Sequence, residues 1–545
     1  MVVDPMRETI ERKALSIKDG KLFSFEPDPA REAIDASGLY ISPAFIESHL
    51  HVEGLHVMPA AYSGAFLSHG TTAIVTDLHE IANAGGMVGL AWYLGLLDAI
   101  PLDVFVMAPS CVPSCRFEKG IARLEAKELA RLRAHERVIG LGEMMDIEGV
   151  LQRRKSVMRK IDLFAGKPVD GHAPMLTGEA LRAYLAAGIH SDHETTTLDE
   201  GREKLGCGMH LFLREGSVAK DLAATLPLIT KRYLPRLSLC TDDLSSRDLF
   251  EHGHLDVLVR RLVEHGVSLA RAVRLVTVNP AHYFNLSDRK ALRLGAKADL
   301  VLFEGPKDIR VRATIKNGRV VYRDGKLLNG PQGPTRSSRS RMKVARLSLD
   351  DLRQRAEGRR VHAIGVHEGS IITEHHILDA RIKDDYLLPD TSRDVLYAYV
   401  FDRYRGQREY GFGFVQGFGV RGGAIGTTYA HDSHNLIIIG DNLKDVFTVF
   451  TRMREEGGGM ALSRRGRIIE HIPMPFYGII ADCGIREFIQ KERRMHAFLK
   501  EMGVTLSNPF FQMSFISLPV IPALRLTTSG LFDVERQRYI EGNSD

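Results

Sequence analysis

Apolar and polar positions change their period several times along this chain, and each change marks a different kind of element. Near the start, Ala14-Leu15-Ser16-Ile17 and Lys21-Leu22-Phe23-Ser24-Phe25 flank Asp19-Gly20, the pattern of two short strands joined by a tight turn. From about residue 44 to 293, short apolar runs alternate with helical stretches. Thr72-Ala73-Ile74-Val75, Val104-Phe105-Val106-Met107 and Val138-Ile139-Gly140-Leu141 read as buried strands, and Ala122 to His135 has helical spacing. Repeated strand-then-helix units argue for an α/β fold built on a parallel sheet or barrel. Lys297 to Phe303 and Val311 to Val321 return to strands, the latter folded at Asn317-Gly318, and are expected to complete the small sheet begun at the N-terminus.

Leu328 to Met342 is rich in Gly, Pro, Ser and Arg and breaks in composition from both sides, so a domain boundary belongs there. Beyond it, Gly411 to Gly426 reads as a glycine-rich strand region and Leu443 to Glu456 as a helix. The expected organisation is a small split β-unit (1–43 with 294–327), a β/α barrel (44–293), a linker (328–342) and a C-terminal α+β domain (343–545). The small sheet is expected to be incomplete at its start, or the start codon to be placed late.

Composition narrows the class. A chain of 545 residues with 44% hydrophobic content builds two or three domains with sizeable cores. No basic segment followed by an apolar one opens the sequence, and no apolar run reaches the roughly 20 residues of a membrane span; a cytoplasmic protein without a membrane partner is expected. Five scattered cysteines read as reduced thiols rather than a disulfide framework. The net charge of +5 is modest, and part of it lies in one run, Arg336 to Arg341, which reads as a solvated linker. No zinc-finger spacing or RNP-like aromatic motif accompanies that run, so nucleic acid is not an expected partner.

The strongest chemical signal is His49-Leu50-His51-Val52-Glu53, directly after the apolar Pro43-Ala44-Phe45-Ile46. In a strand, residues i and i+2 face the same way, so both imidazoles can reach one metal ion. Later strand ends add Glu143, His172, His193 and Asp242, and β/α barrels place their active sites at the C-terminal ends of the strands. Each residue alone reads as an ordinary buried histidine or helix-capping carboxylate. The ordered set argues for a site able to hold a pair of divalent ions, and its nitrogen and oxygen donors suit manganese, iron or zinc without choosing among them.

The same set, in the order H-x-H, Glu, His, His, Asp, resembles the amidohydrolase superfamily, and the finer match is to its adenine deaminase family. That resemblance rests on Ser42 to Glu53, His69-Gly70-Thr71-Thr72, Asp77 to Asn83, Gly140 to Met145, Ser191-Asp192-His193-Glu194, Arg214-Glu215-Gly216-Ser217 and Leu239 to Asp243. In the C-terminal part it rests on Ala430-His431-Asp432-Ser433-His434-Asn435, Gly457-Gly458-Gly459 and Ser517 to Pro522. The chain departs from the family pattern at Gly54-Leu55, where two serines are usual, and at Leu244-Ser245-Ser246-Arg247, where an aromatic or histidine and a proline are usual.

The resemblance implies a distorted TIM (β/α)8 barrel with a small split β-sandwich domain and a C-terminal α+β domain. It implies a binuclear metal centre, manganese foremost, held by His49, His51, Glu143, His172, His193 and Asp242, with Glu143 bridging. It also implies hydrolytic deamination of adenine to hypoxanthine and ammonia in purine salvage, by a homo-oligomer. Such a reaction needs hydroxide at C6, a proton on ring N1 and a proton on the departing amine. Asp242 is the expected proton shuttle and Glu194 the expected acid toward the ring, with Glu53 the competing choice. Glu53, Glu80 and His434 are the remaining substrate-binding candidates. The alternatives are an amidohydrolase acting on another aminopurine or a cyclic amide, and a non-catalytic barrel relative, which would be expected to lose metal ligands.

Overall fold

Eight parallel strands form where the chain carries short apolar runs: β1 Phe45–Leu50, β2 Thr71–Asp77, β3 Asp103–Ala108, β4 Val138–Met144, β5 Val169–Gly171, β6 Ser191–Asp192, β7 His210–Arg214 and β8 Leu237–Cys240. They are seen in a computed structural model, which describes residues 1–30, 32–328 and 342–540. Strands β1 to β5 form one parallel sheet and β6 to β8 another. Two seams join them into a barrel. At one, His190 N donates to Val169 O at 3.1 Å; at the other, Asp242 N donates to His49 O at 2.9 Å and His51 N to Asp242 O at 3.3 Å.

Both faces of this sheet are covered, which is why its strands read as continuous apolar runs rather than alternating ones. Ile46, Ala73, Val75, Met107, Phe212 and Cys240 form a core cluster with Ala281 and Phe284. Helices surround the barrel. The one foreseen within 122–135 spans Ala126–Arg133 and starts at a capping box made by Glu125 and Glu128.

The small domain is a seven-stranded sheet in the order Lys326–Leu327, Arg319–Arg323, Arg310–Lys316, Leu300–Glu304, Leu39–Pro43, Val2–Asp4, Thr9–Glu11. The Ser16–Lys18 and Lys21–Ser24 hairpin lies over it, burying Leu22 against Ala298, Leu300 and Leu302. Val2–Asp4 is the first strand of this sheet and pairs with both Thr9–Glu11 and Leu39–Pro43. Three-residue strands are too short for a period to show in the sequence.

The C-terminal part carries an eight-stranded sheet, a three-stranded sheet and several helices. Helix Leu443–Glu456 is capped at its start by Asn442, which accepts from Asp445 N, and ends at Gly457, whose φ of 85° suits glycine. It packs Val446, Val449, Phe450 and Met453 against Tyr399, Phe401, Ile438 and Ala461 on one face of the large sheet. The opposite face, with Ala398, Val400, Ile437 and Ile439, belongs to the same apolar cluster as the barrel helices. The linker expected at 328–342 and its basic run fall almost entirely outside the described residues. Among the described residues, no helix is long and apolar enough to cross a membrane.

Candidate metal centre and substrate pocket

The C-terminal ends of β1, β4, β5, β6 and β8 bring all six expected ligand residues together, each 5% exposed or less. His49 and His51 project from the end of β1 by the two-residue period of a strand. Glu143, near the end of β4, is the hub. Its Oε1 lies 3.2 Å from His51 Nε2 and 4.0 Å from His49 Nε2; its Oε2 lies 2.7 Å from His172 Nδ1 and 3.4 Å from His193 Nε2. Asp242 Oδ1 closes the ring at 3.5 Å from His49 Nε2 and 3.2 Å from His51 Nε2.

These spacings test the fit of a metal. Donor atoms about 2.1 Å from one ion stand roughly 3.4 Å apart when tetrahedral, longer than most hydrogen bonds. Several separations in the ring match that edge, and His49 Nε2 is buried without a hydrogen-bond partner. Three overlapping groups, His49-His51-Glu143, His49-His193-Asp242 and Glu143-His172-His193, each set their donor atoms within 4.8 Å of one another. A nitrogen and oxygen donor set of this kind fits a divalent ion.

Electrostatics agree. Burial alone would lift the Glu143 and Asp242 carboxyls, but hydrogen bonds from the surrounding imidazoles hold both well below the usual carboxylate range. Burial opposes, yet Glu143 outweighs it and lifts His193 to about 9. Asp242 adopts φ 55°, a left-handed conformation that aspartate tolerates better than most residues, and this bend directs its carboxylate at the two imidazoles of β1.

The remaining expected residues divide. Glu194 faces the pocket and is gripped by the buried Arg214 guanidinium, which also reaches Asp242 Oδ2 at 3.0 Å and Asp221 Oδ2 at 2.8 Å. Glu53, Glu80 and His434 are fully buried but do not line the pocket. Glu53 accepts from Ile81 N at 3.1 Å, and burial together with Glu80 pushes its carboxyl up to about 7. Glu80 lies 2.5 Å from both His431 Nδ1 and His434 Nε2.

Other residues in the pocket escaped the sequence reading as site residues. His79 Nδ1 lies 3.3 Å from Glu143 Oε1 and 3.7 Å from Asp77 Oδ1. Asp77-Leu78-His79 at the end of β2 repeats the i, i+2 spacing of His49 and His51, a signal that could have found it. Asp243, beside Asp242, also lines the pocket, with Oδ1 unpartnered. The pocket, about 370 Å³, is completed from the C-terminal domain by Ile371, His431, Asp432, Phe515, Leu518 and Ile521. The two departures from the family pattern touch each other: Ser246 Oγ donates to Leu55 O at 2.5 Å.

Comparison with known proteins agrees with this architecture. Residues 40–321 match the amidohydrolase family, and residues 370–538 match the adenine deaminase C-terminal domain. The chain is 39% identical to the adenine deaminase of Syntrophobacter fumaroxidans over 98% of its own length and 93% of that protein. It is 36% identical to adenine deaminase 2 of Carboxydothermus hydrogenoformans (92% and 88% covered) and 34% identical to the adenine deaminase of Desulfatibacillum aliphaticivorans (99% and 95% covered). An amidohydrolase barrel carrying the adenine deaminase C-terminal domain, with near-full-length identity to these relatives, makes the chain a member of the adenine deaminase family.

Proposed function

We propose that this enzyme deaminates adenine hydrolytically, giving hypoxanthine and ammonia, with a pair of divalent ions, manganese foremost, held by His49, His51, Glu143, His172, His193 and Asp242. The observation that carries this reading is the convergence of these six buried groups, four imidazoles around Glu143 and Asp242 closing the ring, at a pocket walled partly by Phe515, Leu518 and Ile521. Divalent ions in such a site bring the pKa of water toward about 7 and so make hydroxide available at neutral pH.

The chain's own residues divide the remaining work. Phe515, Leu518, Ile521 and Met145 offer apolar surface for the faces of a planar purine, while Glu194 and Asp243 offer polar atoms for its edge. Asp242 is the proposed proton shuttle, taking a proton from the attacking water and passing it toward the departing amine. Arg214 contacts both Asp242 and Glu194, and Glu194, protonated and released from Arg214, is the proposed acid that gives its proton to ring N1. Purine salvage, a cytoplasmic location and self-association belong to the same proposal.

Ammonia release from adenine by manganese-loaded protein, beside a chelated sample and a His49→Ala variant, tests the reading. Release lost in both controls supports it. Absence of release from folded, metal-loaded protein rejects it, and a panel of aminopurines and cyclic amides, read for ammonia and for new carboxylate, then identifies the substrate.

A further inference from the structure

A second cluster of donor groups lies at the side of the pocket, which three of its four residues help to line. His79 and Glu80 open the helix His79–Leu96 of the barrel, and His431 and Asp432 sit on the loop between strands Gly423–Thr427 and Leu436–Gly440 of the C-terminal domain. All four are 3% exposed or less, and one donor atom from each lies within 4.8 Å of the others. His79 Nε2 is 3.4 Å from Glu80 Oε1 and 3.9 Å from Asp432 Oδ1, while His431 Nδ1 is 2.5 Å from Glu80 Oε1 and 3.7 Å from Asp432 Oδ1.

Hydrogen bonding to Glu80 accounts for only part of this arrangement. Three of the four separations exceed a normal hydrogen bond, and Asp432 Oδ2 and His431 Nε2 have no hydrogen-bond partner despite complete burial. Two carboxylates and two imidazoles drawn together, mostly beyond hydrogen-bond reach, are what a shared cation would organise, since three of the four edges lie near the roughly 3.4 Å expected around one ion.

The surroundings are built to hold the donors in place. His434 Nδ1 accepts from Ala430 N at 3.2 Å, so its Nε2 carries the proton and points at Glu80 Oε2, leaving Oε1 toward the cluster. Glu118 Oε1 accepts from Asp432 N at 3.1 Å and Ser433 N at 2.9 Å, fixing the loop. His79 turns Nδ1 to Glu143 and Asp77, which leaves Nε2 free as a donor. Oriented ligands backed by a second layer of hydrogen bonds are characteristic of metal sites.

We propose that His79, Glu80, His431 and Asp432 form a third divalent-cation site at the seam between barrel and C-terminal domain. Two nitrogen and two oxygen donors suit zinc, manganese or ferrous iron. An ion here ties the first turn of a barrel helix to the loop that walls the pocket, so its work is to lock the domains in register.

The test is full-length protein saturated with zinc, freed of excess metal and analysed for zinc per chain, with crystals examined for anomalous scattering at the zinc edge. The expected result is a peak among these four residues. The His431→Asn/Asp432→Asn double variant should bind one equivalent fewer than wild type, and a His49→Asn/His51→Asn variant should lose zinc from the Glu143 centre while retaining the seam ion. No anomalous peak among the four residues of zinc-saturated wild-type crystals overturns the proposal whether or not the variants fold. An unchanged zinc content in a folded seam variant overturns it as well. Loss of the Glu143 centre alone would count against the proposed function, not against this site.

Discussion

Asp242 shows how much of the chemistry turns on single side chains. Its left-handed backbone closes the barrel through two main-chain bonds to β1 and aims the carboxylate at His49 and His51. Asp242→Asn keeps the shape and removes the proposed proton shuttle, so turnover should fall by about 10²–10⁴-fold, read as kcat in metal-reconstituted protein. Gly142 is a quieter case: a methyl there would run into the Asp77 carboxylate, which accepts from Glu143 N at 2.8 Å. Gly142→Ala should therefore displace Glu143 and lower metal content, measured per chain, while distant buried residues stay unaffected. Arg214→Met should be costlier, because it leaves Glu194 and Asp242 buried without their cation. A stability loss of about 3–5 kcal/mol in denaturant titration is expected. The His49-x-His51 pair and Glu143 were legible because a strand's period is visible in sequence. Asp243 was not, since only the backbone bend at Asp242 lets two adjacent carboxylates both face the pocket.

Whole elements were legible where they are long or strongly patterned. Helix Leu443–Glu456 has the ends its sequence announces, and β2, β3 and β4 sit on their apolar runs. Short pieces were not: Ser191–Asp192 is a barrel strand of two residues and shows no period at all. Helix Ile485–Glu501 carries a prediction of its own. Glu492, 5% exposed on its inner face, is pushed up to about 7 by burial, which prevails over Arg247 with help from Asp248 and Glu251. A carboxyl whose pKa is higher folded than unfolded binds its proton more tightly in the native state. Its favourable contribution is therefore complete below the ordinary 4.5 and lost as the pH rises to about 7. Glu492→Gln removes this dependence. Between pH 4.5 and 8 the wild type should lose roughly 3 kcal/mol relative to the variant, followed by thermal unfolding at each pH.

At the scale of the molecule, the domains share cores as well as a border. The inner face of the large C-terminal sheet and the barrel helices form one apolar cluster, and Phe515, Leu518 and Ile521 reach across to the pocket. The sequence outlined this three-part plan. It also pointed His434 of the last part at the substrate, but it did not reveal the apolar wall of Phe515, Leu518 and Ile521, because residues some hundreds of positions apart carry no local trace of their meeting. A chain ending at Leu328 should consequently aggregate and show no turnover, checked by sedimentation and ammonia release. The order of synthesis gives the shared wall a temporal meaning. Ribosomes extend a chain at about 5–20 residues per second, so on the order of tens of seconds separate the emergence of Asp242 from that of Phe515. During that interval the nascent barrel already holds its imidazoles and carboxylates but has no roof, and it can sequester ions from its surroundings before it can enclose a base.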